Sequence, residues 1–583
     1  MDRRRSALTP ESYARAIISL SRRYSSTSVF PGNNYVGIAE WLLQDRALLS
    51  TTKADEDITL FASASEQPHD LVVVYNSAER KWDVQSFSQD QYDDFSVSSS
   101  ATAGGMGQMV FIRGFISPSW LSALGSRYNI DPEFFRRHMD FLSASVDRHA
   151  FSFPSLATSS NNIFRLCVST ILHRDDFSSQ DLRSQRSEQM AELATYKIQQ
   201  LRSTKIRCGD SLVRQYSTVC SRFSVLEQWI SVCIARTDRG WAVIAWMDQG
   251  RPLEHSPPGP WTNHIESKAI PLPILQHHQK MAFRTTVNRL DADANASAQV
   301  QQSTAILPLQ YDSLVALTDL ARRAPQDPLS MSIPLFAHAA FSEVQFLNLM
   351  ESRIQEQIGA ITEDVPADAL GTLQHFSNIL NRHAHQLNDS TRAFCKLMER
   401  GNQGNSQSSS GPESPMWRGA GPGLGPHLRQ PSPSPDDMPR TSTADGVYSP
   451  KGLLESYEEL QVRCVELSKM CTRGITLAMN KATIEESRKA IEQSARVKKL
   501  TLLATLFIPL SFSSSLFGMN IDLLGQGTVE FWWFFVWCIP ITLSTYMMYL
   551  WDFQKLRRHW IDLWHWLRHV RRDKGEKDPS HVV

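Results

Sequence analysis

LTLLATLFIPLSFSSSLFGMN, residues 500–520, holds no charged side chain. Its first 20 residues, Leu500–Met519, are long enough as a helix to cross a hydrocarbon core of about 30 Å. A second charge-free run of 21 residues, FWWFFVWCIPITLSTYMMYLW (531–551), follows after a short polar loop. Each run contains a proline, Pro509 and Pro540. Proline usually breaks a soluble helix, but membrane helices tolerate it because neighbouring groups re-satisfy the backbone. The competing reading is a pair of buried core helices, and the length and lack of charge stand against it. The two runs predict transmembrane helices over 500–519 and 531–551, joined by an external loop over 520–530.

Charge orients these spans. Arg496, Lys498 and Lys499 precede the first run; Lys555, Arg557, Arg558, Arg568, Arg571 and Arg572 follow the second. The connecting loop has Asp522 and Glu530 and no Lys or Arg. Positive residues stay inside, so both chain ends, including the basic tail 552–583, are expected in the cytosol. Trp532, Trp533, Trp551, Trp560, Trp564 and Trp566 suit the interfacial belts. The plain expectation is a multi-pass protein of the plasma membrane, with a vacuolar or mitochondrial inner membrane as alternatives. The Arg- and Ser-rich opening resembles a transit peptide, although Asp2 and Glu11 oppose that reading.

The chain has 583 residues, and most precede the first span. Lys plus Arg equals Asp plus Glu at 60 each, so nothing global argues for a nucleic-acid partner. The eight cysteines form no CxxC pair and read as reduced thiols. Residues 1–60 look like an N-terminal tail. Over 61–335 short β-rich runs recur, LVVVY (71–75), MVFIRGF (109–115) and FRLCVSTIL (164–172), with a helical stretch SPSWLSALGSRYNIDPEFFRRHMDFL after one of them. ISVCIARTDRGWAVIAWMD (230–248) reads as a hairpin turning at Asp238-Arg239-Gly240, the glycine supplying a positive φ. This is an α+β cytosolic domain, extended by a helical segment over 336–400. Residues 401–450 are rich in Gly, Ser and Pro and are expected to be a disordered linker.

A stalk helix is expected over 451–519, running into the first span. Leu453, Tyr457, Leu460, Cys464, Leu467 and Cys471 recur at heptad spacing, a seam for helix–helix packing of the coiled-coil kind. A stalk of this sort feeding a membrane span suggests a bundle of identical subunits. On the membrane side, Ser494, Val497, Leu500, Ala504, Ile508, Ser511 and Ser515 step by three and four along one uncharged face. By spacing alone that pattern fits an ordinary helix–helix interface better than a pore lining.

RVKKLTLLATLFIPLSFSSSLFGMN, with a mid-helix proline and GMN at its end before a second span and a basic tail, resembles the CorA-type divalent cation channels. VFIRGFISPSWLSALGSRYNIDPEFF is more weakly similar to part of that family's cytosolic domain. The resemblance implies an α-helical membrane channel, a homopentamer in the lipid bilayer whose first spans line the pore. It implies that the face from Ser494 to Ser515 is pore-lining and that Gly518, Met519 and Asn520 present a ring at its outer mouth. A neutral carboxamide ring suits Mg²⁺, which gives up its waters reluctantly, because the ring bonds the water shell and releases it. Asp522 would raise the local cation concentration. The transported ion is expected to be Mg²⁺, with Zn²⁺ or Co²⁺ as alternatives, and a non-conducting membrane-anchored scaffold stays open as another class. Neither a cofactor nor a directly coordinated metal is expected.

Departures from the family pattern touch gating. The acid of its cytosolic sensor corresponds to the stretch Pro132–Arg137, and its stalk partner falls on Thr483 beside Glu485 and Glu486. His173-Arg174-Asp175 imitates a kinase loop without the rest of that machinery. His277-His278, and His565 with His569, read as solvated or interfacial histidines. With no nucleophile–base constellation and no Walker loop, an enzyme is not expected.

Overall fold

The computed structural model describes residues 8–23, 32–51, 69–77, 82–97, 107–142, 162–174, 181–201, 206–237, 240–262, 269–276, 311, 327–363, 366, 368–407, 449–518 and 532–550. The chain divides into two compact units, Met1–Ala478 and Met479–Val583.

The first unit is built on one mixed sheet. Its strands are β1 (Asp70–Ser77), β2 (Trp82–Ser88), β3 (Gly107–Arg113), β4 (Ile163–His173), β5 (Gln215–Thr218), β6 (Phe223–Thr237), β7 (Gly240–Met247) and β8 (Ile270–Pro271). They lie in the order β2-β1-β3-β7-β6-β4-β8, with β5 pairing β6 off this path. The β3–β7 pair is parallel and the other pairs are antiparallel. Alternation along the strands sorts side chains to two faces. Val73, Tyr75, Met109, Phe111, Val243 and Ala245 join one core, while Val72, Val74, Val110, Ile112, Ile244 and Trp246 join another.

N-terminal helices supply the second core: α1 (Pro10–Ser21), α2 (Val36–Thr51), α3 (Tyr92–Val97), α4 (Pro118–Tyr128) and α5 (Pro132–His138). The expected tail over 1–60 is thus corrected. Thr9 caps α1 and Pro10 opens it, and Tyr13, Ala14, Ile17 and Ile18 bury one stripe. Likewise Ser117 and Asp131 cap α4 and α5, and Asn129 ends α4 in the left-handed conformation at φ 47°. Helix α6 (Leu182–Leu201) closes a small cluster of Leu193, Tyr196, Tyr216 and Trp261.

The first core is covered by α7 (Pro328–Glu363), α8 (Ala369–Gln407) and the start of α9 (Pro450–Gly518). Helix α7 begins before the expected 336, because Asp327 accepts from the Leu329 amide at 3.0 Å and Pro328 follows it. Helix α8 continues past 400 into the segment read as linker; residues 408–448 of that linker lie outside the described residues. Thr237 pairs with Gly240 in the expected hairpin, and Gly240, which opens β7, has the expected positive φ, at 159°. Asp238 and Arg239 lie outside the described residues.

The heptad seam has a different partner from the one expected. Leu453, Tyr457, Leu460, Cys464, Leu467 and Cys471 are all buried in the chain's own core. Tyr457 donates its hydroxyl to the Phe336 carbonyl of α7 at 2.9 Å, and Cys464 its thiol to Leu380 of α8 at 3.1 Å. Gly474 extends the close approach, since a Cβ there would stand 2.8 Å from Leu373 Cδ1 and 3.2 Å from Ile358 Cγ1. The seam binds α9 to α7 and α8 within one chain and is no argument for a bundle of subunits.

Candidate functional site

Beyond Ala478 the character of α9 changes. Val497, Leu500 and Ile508 are 60, 68 and 65% exposed, and Ser494, Ser511 and Ser515 are exposed as well. Ala504 is half-buried, and burial in this stretch falls on Pro509 and Ser513. The uncharged face read from the spacing therefore stays uncovered in the single chain. Hydroxyls on this face and beside it are turned inward on the helix itself. Thr501 donates to the Val497 carbonyl at 2.8 Å, Thr505 to Thr501 at 2.7 Å and Ser511 to Ile508 at 3.0 Å. This satisfies polar groups where no water is at hand.

Among the described residues one helix is long and apolar enough to cross a membrane, and 11% of its apolar window is buried. A core helix would be mostly covered. The second apolar helix, α10 (Trp532–Leu550), has a described apolar stretch, Phe535–Met547, that is shorter than a full span. In it Thr542 and Thr545 donate to Cys538 and Ile541 at 2.7 and 3.0 Å, and Trp537, Ile539 and Leu543 are exposed. Gly518 is the last residue of α9. Met519, Asn520 and Asp522 lie outside the described residues, as do His277, His278, His565, His569 and the tail 552–583.

The acids at the expected sensor positions are engaged within the chain. Glu133 pairs with Arg136, and with Arg137 at 2.8 Å, and accepts from the Tyr35 hydroxyl at 3.3 Å. Burial would raise its pKa, but the bonds from the two guanidiniums hold it below the usual value. Asp131 caps α5 through the Glu133 amide. On the stalk, Thr483 donates to the Met479 carbonyl at 2.9 Å, and Glu485 meets Lys489 at 3.3 Å on exposed surface.

Two buried charge clusters had no signature in the sequence. In the first, His383 of α8 lies between Glu343 of α7, at 3.0 Å, and Glu227 of β6, at 3.4 Å, and stacks on Phe346. Arg382 also pairs with Glu227. Burial opposes a charge on His383, yet the two carboxylates raise its pKa to about 9. In the second, His138 joins Ser231 Oγ at 2.8 Å and Asp248 Oδ1 at 3.1 Å. These are the residue types of a hydrolase triad, but His138 and Asp248 are fully buried. Trp246 stacks on the imidazole at 3.9 Å and Arg214 clamps Asp248 at 2.6 and 2.7 Å. The group pins the sheet to α5 and offers no path to a substrate. Among the described residues no group of three or more His, Cys, Asp or Glu is placed to hold a metal ion.

Residues 440–555 match the family model of the CorA-like Mg²⁺ transporter protein. No curated protein matches the chain. Among solved structures, the CorA magnesium transporter from Methanocaldococcus jannaschii is 9% identical, with a TM-score of 0.30, over 83% of this chain and 98% of its own. The full-length CmaX protein is 11% identical, with a TM-score of 0.33, over 85% of this chain and 99% of its own. Both scores are too low for either likeness to carry an argument. The likeness to the CorA-like Mg²⁺ transporter family therefore belongs to residues 440–555, the part of the chain that holds the apolar helices.

Proposed function

We propose that the chain is a subunit of a passive divalent cation channel of the CorA type, with Mg²⁺ as the transported ion. The observation that carries this reading is the uncovered, uncharged face from Ser494 to Ser515 on an apolar helix inside the family-matched segment. Copies of the subunit, five in the family plan, would turn these faces to a shared axis, with α10 completing a two-span anchor and both chain ends in the cytosol. Exposed Leu477, Ile484 and Ile491 alternate with Asn480, Ser487 and Ser494 along the same row below the membrane. This heptad has no partner within the described residues and supports self-association better than the earlier seam does.

In this arrangement Asn520 presents a ring of carboxamides to the hydrated ion, Gly518 and Met519 shape the turn that carries it, and Asp522 draws cations to the mouth. Rings of Leu500 and Ile508 form a dewetting gate. An inside-negative potential of about 100 mV supplies roughly 4.6 kcal/mol to a divalent ion, enough for uptake without ATP.

Flux into proteoliposomes at an inside-negative potential tests the reading, with wild type beside Asn520→Ala and with Zn²⁺ and Co²⁺ as competitors. Mg²⁺ uptake lost in the variant is the expected result. Stronger uptake of Zn²⁺ than of Mg²⁺ moves the assignment to zinc. A folded oligomer that passes no divalent ion overturns conduction and leaves a membrane-anchored scaffold.

A further inference from the structure

One cluster in the first unit has chemistry that cation transport does not use. β3 and β7 run parallel, so their carboxyl ends open at one edge, where α/β sheets gather ligands. Three turns are tied there, backbone to backbone. Gly114 N donates to Met247 O at 2.9 Å, Phe115 N to Asp210 O at 2.8 Å, Gly209 N to Phe115 O at 2.6 Å and Arg251 N to Gly209 O at 2.7 Å. Gly114 and Gly209 have φ of 73° and 87°, a region costly for any other residue. A Cβ on Gly250 would overlap the Gly209 carbonyl.

This knot gathers His69, Arg113 and Arg251. A Cβ on Gly209 would stand 3.2 Å from His69 Cδ2 and 3.5 Å from Arg251 Nε. Arg251 donates to Gln89 Oε1 at 2.7 Å. Arg113 reaches the Asp70 carbonyl only at 3.4 Å, and the Asp70 carboxylate favours its ionised form. Among the described residues, Arg113 Nε and His69 Nε2 are buried with no hydrogen-bond partner. All three side chains are half-buried, so solvent reaches the cluster. Burial, Arg113 and Arg251 together push the His69 pKa down to about 3, leaving a neutral ring between two cations. The neutral His69 ring bonds the Arg113 backbone through its other nitrogen, so Nε2 is an acceptor, and the unpaired buried donor is Arg113 Nε, which costs free energy that a bound acceptor returns.

We propose that His69, Arg113 and Arg251 form an oxyanion site that takes a phosphate group. A carboxylate is satisfied by one guanidinium fork, whereas two guanidiniums suit the larger oxygen set of a phosphate, and the neutral His69 ring accepts from a P–OH. Inorganic phosphate and a phosphate ester share this chemistry, and the two are told apart by titrating each.

The test is calorimetric titration of the full-length protein in detergent with inorganic phosphate, then with adenosine monophosphate, in chloride buffer near neutral pH. Saturable binding is expected, with sulfate competing and acetate not. In Arg113→Gln and in Arg251→Gln it weakens by at least about tenfold, the loss of a charged hydrogen bond. Arg251→Lys falls between. Tighter binding of the ester than of the free ion assigns the site to esters. Absence of saturable binding of either probe, or equal affinity in both glutamine variants, overturns the site. The wild type gives a readout independent of variant folding. The NMR titration midpoint of His69, identified by its loss in His69→Asn, rises with phosphate, and an unmoved midpoint also overturns the proposal. Neither readout depends on ion conduction.

Discussion

Helix α9 is one continuous helix of 69 residues with two kinds of surface. Between Leu453 and Ala478 its heptad stripe is buried among α7, α8 and the sheet. From Met479 onward a second stripe, offset by one residue at Leu477, is exposed; Ile484 and Ile491 are each 69% open. If the first stripe is continued at the same spacing it meets Lys481, Glu485, Arg488 and Glu492, and the last three form solvated pairs along the helix. The sequence pattern is heptad-like in both stretches. What differs is whether a partner from the same chain is there to cover it. A heptad is evidence of packing and says nothing by itself of whose helix packs.

Breaking this contrast starts with the buried half. Tyr457→Ala removes a fully buried ring and is expected to cost about 3–5 kcal/mol, read as a lower denaturant midpoint of the first unit. Tyr457→Phe keeps the ring, loses the bond to the Phe336 carbonyl and costs about 1 kcal/mol.

The clamp beneath α7 and α8 sharpens the comparison through pH. His383 titrates at about 9 in the fold against 6.5 when free, so its protonated form favours folding. That contribution is whole below about 6.5 and fades as pH climbs through 9. A thermal melt followed from neutral to alkaline pH is expected to fall more steeply in wild type than in His383→Gln. Parallel curves would remove the clamp from the account.

The open half responds differently. Ile484→Ala with Ile491→Ala leaves the melting of the first unit within about 0.5 kcal/mol, as exposed positions do. Mass photometry in detergent is expected to show the assembly dissociating at higher protein concentration than wild type. A stability loss as large as that of Tyr457→Ala would erase the distinction between the stripes. The smallest effect belongs to Lys489→Ala, which removes one exposed pair and shifts helix stability by about 0.3–0.5 kcal/mol.

Much of the first unit could be read in advance because its signals are local. LVVVY, MVFIRGF and FRLCVSTIL are apolar runs and became β1, β3 and β4. The stalk announced itself by spacing. The Arg-rich flanks of α1 hid a helix whose cap, Thr9-Pro10, was nonetheless visible. Helix α6 was missed because its buried stripe includes Gln185, Gln189 and Gln200, so no apolar period marks it.

The sequence by itself determined the charge-free run at 500–519, its flanking lysines and the uncharged face of its helix, since these depend only on residue type and the pitch of a helix. Only the tertiary structure decided that the heptad from Leu453 to Cys471 is spent within the chain and that Glu133 answers to Arg136 and Arg137. It also brought Glu227 to Arg382, 155 residues away, and set His69 and Arg251 around Gly209 with Arg113 beside His69. The reason is physical. A helix face or an apolar run follows from bonds between near neighbours, while the partner of a buried charge follows from strand order, which chain-distant pairing sets.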